Sequence, residues 1–520
     1  MHDLVITGGE VFDGLGSASR EADVAIDGDR VVAIGRDLGP ARRTIDATGR
    51  AVTPGFIDPH AHSDMVPLMD EPQPFKLMQG VTTEIVGNCG FSFAPFSVAA
   101  AAESTRGFSE LAMGADIVPG TFDGYLDRVE RAGPTNHIAC LVGHNALRLT
   151  ANGMAPELAD GALEEMCRLA DEAFAAGAVG LSTGLIYVPG AWSGTDEIVA
   201  LATVAHRWQR PYATHMRDEG PGLAAALDEA IAIGRRARVR VQVSHCKAAG
   251  RPSHGSSRLL LDKLHEARRE GIDVRGDQYP YCAGSTFLAA LLPPEVYEGG
   301  IAMLQQRLAD AGTREQLLGI AEHADDAIGA GLWRQCTPAD VLVTRHRDDV
   351  NVGRTLADIA GDSSPWEVLC ALAAADPAAM MVITLMDEGD VRTIMGDPLI
   401  AIGSDSDAPI GLTHPRVYGC FPRFLGSYVR HLGVVAWPEA FRKMTSASAA
   451  QFGLTGRGVL VAGAVADVCV VDLDTVGHDG TFLEPAVRPT GIEYVVLTGA
   501  VVVDDGEFTG DRHGRVLRAP

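Results

Sequence analysis

The sequence predicts an α/β protein: a (β/α)8 TIM-like barrel, a small β-sandwich built from both termini, and an insert before the last barrel strand. Three observations carry this. Eight short apolar runs in the middle of the chain end in polar residues and are mostly separated by helical patterns. Both ends read as strands and turns alone. The gap before the eighth run is too long for a structureless loop.

At the N-terminus, Leu4-Val5-Ile6 runs into Gly8-Gly9, Val24-Ala25-Ile26 runs into Asp27-Gly28-Asp29, and Val31-Val32-Ala33-Ile34 follows. Short apolar runs bounded by Gly and Asp are strand-and-turn chemistry. The C-terminal end has Val468-Cys469-Val470-Val471, then Tyr494-Val495-Val496-Leu497 before Thr498-Gly499. Val501-Val502-Val503 then meets Asp504-Asp505-Gly506, a hairpin signal. Two all-β ends around a different middle predict one sandwich. The barrel runs are 51–57, 81–86, 137–142, 179–182, 211–214, 239–243, 272–277 and 400–404. Between them, 163–176 and 222–236 repeat apolar residues at i, i+3 and i+4, the helix period. The stretch 287–399 holds helical pieces of its own and Met381-Val382-Ile383-Thr384, so it reads as an inserted subdomain or lid. The predicted organisation is 1–52 for the N-terminal part of the sandwich and 53–286 for barrel strands one to seven. The insert follows at 287–399, the end of the barrel at 400–455, and the C-terminal part of the sandwich at 456–520.

The chain has 520 residues, 46% hydrophobic and 21% charged, which excludes disorder as the main state. A chain this long buries most of its unfolded surface and needs no disulfide or metal merely to fold. A net charge of −25 argues against nucleic acid or an anionic membrane surface as partner. The nine cysteines are scattered with no CxxC pair, which points to free thiols in a reducing compartment. No signal peptide is read at the N-terminus, and the most apolar stretch, 368–386, is broken by Asp376 and Pro377. A cytoplasmic, enzyme-sized protein is the starting class, and a symmetric oligomer stays open.

His60-Ala61-His62 closes the first barrel run. Residues two apart on a strand point to one side, so two imidazoles are presented together, as a metal requires. The C-terminal end of a barrel strand is where barrel sites lie. His215 ends the fifth run and His245 the sixth. Either alone reads first as a hydrogen-bonded structural histidine, but two at sister positions favour ligation. Asp405 ends the eighth run; alone it reads equally as a helix N-cap, and beside four histidines it reads as ligand or general base. Cys89 follows the second run between Asn88 and Gly90. A free cysteine is usually buried packing, yet this one has polar neighbours at the rim, and a thiolate suits zinc. His144, ending the third run, is an open case. Cys246 is expected to face away from His245, and His137 to fall at the wrong end of its strand.

Taken together these residues resemble the amidohydrolase superfamily, and more closely the N-acyl-D-amino-acid deacylases. The resemblance spans nearly the whole chain. It rests on Pro54-Gly55-Phe56-Ile57-Asp58-Pro59-His60-Ala61-His62-Ser63-Asp64, Gly87-Asn88-Cys89-Gly90, Gly180-Leu181-Ser182-Thr183-Gly184-Leu185 and Thr214-His215-Met216-Arg217. Further markers are Ser244-His245-Cys246-Lys247, Tyr279-Pro280-Tyr281, Gly284-Ser285-Thr286, Gly403-Ser404-Asp405 and His414-Pro415-Arg416, with Gly463-Ala464-Val465-Ala466-Asp467 as the return to the sandwich. The Gly-Asn-Cys-Gly element is the most specific. Hydantoinase-like members bridge two metals with a carbamylated lysine at the fourth strand. Here no lysine lies between Lys76 and Lys247, so a thiolate from Cys89 is the substitute.

The resemblance implies that Cys89, His215 and His245 hold one tight zinc, while His60, His62 and Asp405 line a second, weaker metal position. Such a zinc acidifies water towards a pKa of ~7 and polarises the scissile carbonyl. Asp405 would take the water's proton and hand it to the leaving amine. Lys247, Tyr279, Ser285 and Arg416 would handle the substrate α-carboxylate or the developing oxyanion, Arg416 with a planar fork. The implied partner is a small-molecule amide, and the products are a carboxylate and a free D-amino acid. The chain departs from the compact members in its length, in the insert and in Asp407 close to Asp405. These departures bear on substrate more than on reaction. The competing readings are an amidohydrolase acting on another amide, a D-peptide or a xenobiotic amide, and a silent scaffold. The full ligand set argues against the scaffold.

Overall fold

A computed structural model describes residues 1–108, 117–323 and 331–520. Eight parallel strands pair in chain order: Phe56–Asp58, Val81–Val86, His137–Gly143, Gly180–Gly184, Tyr212–His215, Val241–Val243, Val274–Gln278 and Ile400–Ile402. Every residue of the second, third and fourth strands is buried, as expected of strands covered on both faces. Helices cover the outside. Leu223–Ala237 buries Leu223, Ala226, Leu227, Ala230 and Ile231, one face of the helix period, and carries Arg235 and Arg236 in its last turn, where the helix dipole favours cations.

The first and eighth strands meet just past their ends. Ala61 bridges Ser406 in parallel. The Asp405 N–H donates to the His60 carbonyl and the His62 N–H to the Ser406 carbonyl, each at 2.8 Å. The barrel is thus stitched shut at the histidine pair.

The expected first run, 51–57, is two strands. Ala51–Pro54 lies in the terminal sheet between His2–Val11 and Val468–Val471, and Phe56–Asp58 opens the barrel. Gly55 marks the crossing: a Cβ there would come within 2.3 Å of Thr82 Oγ1. Two adjoining buried strands share one apolar pattern, so periodicity alone does not separate them.

The terminal sheet is continuous across both chain ends. Its order is Glu507–Phe508, Ala500–Asp504, Ile492–Leu497, Val468–Val471, Ala51–Pro54, His2–Val11, Arg20–Asp27 and Arg30–Gly35, with Ala41–Asp46 also pairing to His2–Val11. Leu4, Ile6, Val24, Val52, Val468 and Val496 share its core. Before the eighth barrel strand, a small antiparallel sheet places Met380–Thr384 between Ala283–Phe287 and Val341–Arg345. Helices Ile301–Ala309, Ala311–His323 and Pro365–Ala375 accompany it. Its first strand starts before residue 287 and carries Ser285. Residues 324–330 of the expected insert lie outside the described residues.

Beneath the rim, Lys76 is fully buried. Its Nζ lies 2.5 Å from Asp58 Oδ2, 3.2 Å from Glu84 Oε2 and 3.0 Å from Ser404 Oγ. Lys76→Met leaves two buried carboxylates without their cation, a loss of about 3–5 kcal/mol for a broken buried pair. The urea midpoint of the variant is expected to fall clearly below that of the parent. An unchanged midpoint would mean that Asp58 and Glu84 are neutralised without the lysine.

Candidate active site at the barrel rim

The site is built on the C-terminal ends of strands one, two, five, six and eight. His60 and His62 follow the first strand, and their Nε2 atoms lie 3.3 and 3.2 Å from Asp405 Oδ1. Cys89 Sγ lies 3.3 Å from His60 Nε2 and 3.5 Å from His245 Nε2. Two donor groups result, each with its ligand atoms within 4.8 Å of one another: His60, His62, Cys89 and Asp405, and Cys89, His215 and His245. Cys89 belongs to both. Among the described residues, both ring nitrogens of His215 and Nδ1 of His62 are buried without a hydrogen-bond partner. Buried polar atoms are rarely left so. A thiolate, imidazoles and one carboxylate form a donor set that fits zinc.

The backbone aims these groups at a cost. Cys89, His245 and Asp405 have left-handed φ of 52°, 33° and 52°, and such positions persist only where the surroundings over-determine them. At Cys89 the surroundings are visible. Ser182 Oγ accepts the Gly90 N–H at 3.1 Å and donates to the Gly87 carbonyl. Asn88 Nδ2 donates to the Ile85 carbonyl at 2.9 Å. A Cβ on Gly184 would come within 2.1 Å of the Cys89 carbonyl oxygen. The Gly-Asn-Cys-Gly sequence is therefore a wedge over the fourth strand.

Charge is concentrated here. Burial opposes ionisation of the Cys89 thiol, yet His60 and His245 hold it well below the ordinary thiol range. Burial likewise opposes the Asp405 carboxylate, yet Arg416, His245 and His60 hold it well below the usual carboxylate range. On His62, burial favours the neutral ring, but Asp405 and Cys89 push its pKa up to about 9. The anionic field that retains a proton on this ring favours a metal cation in its place.

Arg416 and Lys247 lie over the Tyr279 ring, at 4.7 and 5.9 Å from its centroid. Arg416 Nη1 donates to Asp405 Oδ2 at 2.7 Å, so part of its fork is engaged with the carboxylate expected as base. Lys247 Nζ donates to Glu219 Oε1 at 2.6 Å. Lys247, Tyr279 and Ser285 line a solvent-connected cavity that also reaches His62, Cys89, His215, His245 and Asp405. Leu185, Val188, Leu292, Leu332, Leu385 and Met386 give it apolar wall, beside the polar Arg217, Glu219 and Gln335. A smaller lobe reaches Phe91, Phe287, Met380 and Arg416.

A family model described as "Amidohydrolase family" matches residues 43–503. The chain belongs to the amidohydrolase family. Among curated relatives, the D-aminoacylase of Alcaligenes xylosoxydans xylosoxydans is 37% identical over 522 residues, covering 99% of this chain and 97% of the relative. The N-acyl-D-glutamate deacylase of the same organism is 36% identical, covering 99% and 96%. A crystal structure of N-acyl-D-glutamate deacylase from Bordetella bronchiseptica, complexed with zinc and a phosphonate mimic of the tetrahedral intermediate, matches with a TM-score of 0.83. It is 34% identical and both chains are covered fully.

In this amidohydrolase the remaining histidines and cysteines of interest face elsewhere. His144 Nε2 pairs with Glu197 at 2.7 Å, and His137 Nε2 meets Thr498 Oγ1 at 2.9 Å at the start of its strand. Cys246 packs with its sulfur 3.5 Å from the Val243 carbonyl. Two carboxylates at the rim, Asp277 and Glu219, join the site beyond the residues the sequence marks. Asp277 Oδ1 lies 3.2 Å from His60 Nδ1 and accepts the His245 N–H at 2.8 Å, while Oδ2 accepts Gln242 Nε2 at 2.7 Å. A signal for it exists, because Asp277 closes the seventh run as Asp405 closes the eighth. Glu219, beside His245 and Lys247, has no such mark: it lies four residues past His215 (i,i+4) in a charged loop.

Proposed function

We propose that this amidohydrolase is a zinc-dependent deacylase of N-acyl-D-amino acids, releasing a carboxylate and a free D-amino acid. The observation that carries the reading is the pair of donor groups sharing Cys89 beneath a cavity flanked by Lys247, Tyr279 and Arg416. Cys89, His215 and His245 hold the tight zinc, and His60, His62 and Asp405 with Cys89 form the second, weaker position. Zinc supplies Lewis acidity there, polarising the amide carbonyl and acidifying the attacking water. Asp405 takes the water's proton as the new carbon–oxygen bond forms and passes it to the amine nitrogen as the carbon–nitrogen bond breaks. Lys247, Tyr279, Ser285 and Arg416 receive the α-carboxylate and the developing oxyanion. The expected division at 53, 287, 400 and 456 is kept in outline, with two shifts: the sandwich takes Ala51–Pro54, and the insert over the cavity takes Ala283–Phe287. Nine unpaired cysteines support a cytoplasmic setting. Among the described residues no helix is long and apolar enough to cross a membrane.

The large lobe supports an apolar side chain on the D-amino acid. The non-histidine cations lining it are already paired: Arg217 with Glu229 at 2.9 Å and Lys247 with Glu219 at 2.6 Å. With Lys247 assigned to the α-carboxylate, an acidic side chain entering the lobe would lose water and find only Arg217, which Glu229 already holds. The test is zinc content measured beside hydrolysis of N-acetyl-D-methionine, N-acetyl-L-methionine and N-acetyl-D-glutamate on one preparation. About one zinc per chain is expected, as a three-ligand catalytic site holds. The D-methionine derivative is expected to exceed the D-glutamate one by at least about tenfold in kcat/KM, the effect of ~1.4 kcal/mol. Zinc without hydrolysis of either methionine derivative would reject the substrate class, and the L form cleaved as fast as the D form would reject the stereochemistry.

A further inference from the structure

We infer that Glu219 is a positioning residue that sets the tautomer of His245 against the competing ammonium of Lys247. The inference rests on the zinc reading above. Three groups form a tight triangle. Glu219 Oε1 lies 2.9 Å from His245 Nδ1 and 2.6 Å from Lys247 Nζ, and Lys247 Nζ lies 2.7 Å from His245 Nδ1. All three side chains are largely buried, so water does not arbitrate among them.

The chemistry of the three groups differs in kind. An ammonium only donates, a carboxylate only accepts, and a neutral imidazole nitrogen does one or the other. If Lys247 holds Nδ1, that nitrogen is an acceptor and the ring proton sits on Nε2, directed at Cys89 Sγ 3.5 Å away. The ring then has no lone pair to give on the side where Cys89 and His215 converge. If Glu219 holds Nδ1, the proton sits there and the Nε2 lone pair is free for a metal. Turning the ring over about its Cβ–Cγ bond does not settle this: it would put Cδ2 against Glu219 and Lys247 and Cε1 against Cys89, losing the nitrogen contacts at both ends. Glu219 satisfies both neighbours from one oxygen: it occupies the ammonium and accepts the Nδ1 proton. On His60, Asp277 faces Nδ1 at 3.2 Å, and among the described residues no lysine contact to that nitrogen competes. The competition belongs to His245 alone of these two rings.

The test reads zinc affinity by competition with a chelator in four full-length proteins: wild type, Glu219→Gln, Lys247→Met and the double variant. Glu219→Gln is expected to weaken zinc binding about 10- to 100-fold, the usual effect of losing a carboxylate behind a metal-bound histidine. With Lys247 still present, its ammonium then takes Nδ1. Lys247→Met is expected to bind zinc within about threefold of wild type, because Glu219 keeps its contact to His245 Nδ1; the cost of the carboxylate left without its ammonium falls on folding stability instead. The double variant is expected to recover at least about tenfold of the lost affinity, since the glutamine carbonyl accepts Nδ1–H once the ammonium is gone. A merely structural Glu219 would make the double variant as weak as Glu219→Gln or weaker. Cobalt substitution gives a second readout, as the thiolate-to-cobalt charge-transfer band should fade in Glu219→Gln and return in the double variant. Should Glu219→Gln not fold, the double variant decides: near wild-type affinity supports the inference, and a hundredfold loss overturns it. Wild-type zinc affinity in Glu219→Gln, or no recovery in the double variant, overturns the inference and leaves the zinc reading standing. A wild-type protein that binds no zinc overturns both.

Discussion

Cys89→Ala is expected to empty the site: zinc content falls from about one per chain towards zero after dialysis, because a three-ligand site loses a ligand. kcat/KM is expected to fall by ~10³ or more, the loss of roughly 4 kcal/mol of transition-state stabilisation. The size of the effect follows from geometry. Cys89 is the only residue common to both donor groups, so one substitution reduces a four-donor set to three and a three-donor set to two. It is also the soft anionic donor in the set. Alanine adds no volume, and the wedge that positions residue 89 rests on Ser182, Asn88 and the flanking glycines rather than on the sulfur. The barrel should therefore fold, and the far-ultraviolet circular dichroism should match the parent. Full zinc content in the variant would remove Cys89 from the ligand set. Lost zinc with retained activity would mean that the reaction proceeds without this metal.

The main lines of this arrangement were legible in the sequence for a simple reason. In a parallel barrel, function collects at one end of every strand, so a histidine or aspartate closing an apolar run is marked by position. His60, His62, His215, His245 and Asp405 all carry that mark, and the structure gathers them. What escaped depends on side-chain reach across the fold. Glu219 sits in a loop, and nothing in its neighbours predicts that His245 and Lys247 will fold against it. Arg416 lines the smaller lobe beside the donors, but its 2.7 Å contact to Asp405 is not legible, because the spacing of the two residues along the chain says nothing of it. The division of 51–57 at Gly55 escaped because both halves are buried, and burial erases the alternation that would reveal a change of sheet.

Asp405→Asn is expected to separate chemistry from metal binding. The substitution keeps shape and removes both the charge and the basicity. Because Cys89, His215 and His245 do not include Asp405, the tight zinc should stay. Turnover should not: a positioned general base contributes about 10²–10⁴-fold, so kcat is expected to fall within that range. A second consequence follows from Arg416. Its side chain is 3% exposed, and its contact to the Ser285 carbonyl is long at 3.5 Å. Without the Asp405 charge the guanidinium is left buried with little to oppose it, which costs stability and frees its fork for a substrate carboxylate. KM should then change less than kcat, or fall, while the thermal midpoint drops. This pattern distinguishes a base from a mere ligand. A ligand role alone predicts loss of zinc together with activity, whereas retained zinc with kcat within tenfold of wild type would show that another group moves the proton. Asp407 is the nearest carboxylate in sequence, but Arg345 and Thr413 hold it, so it is not placed to substitute.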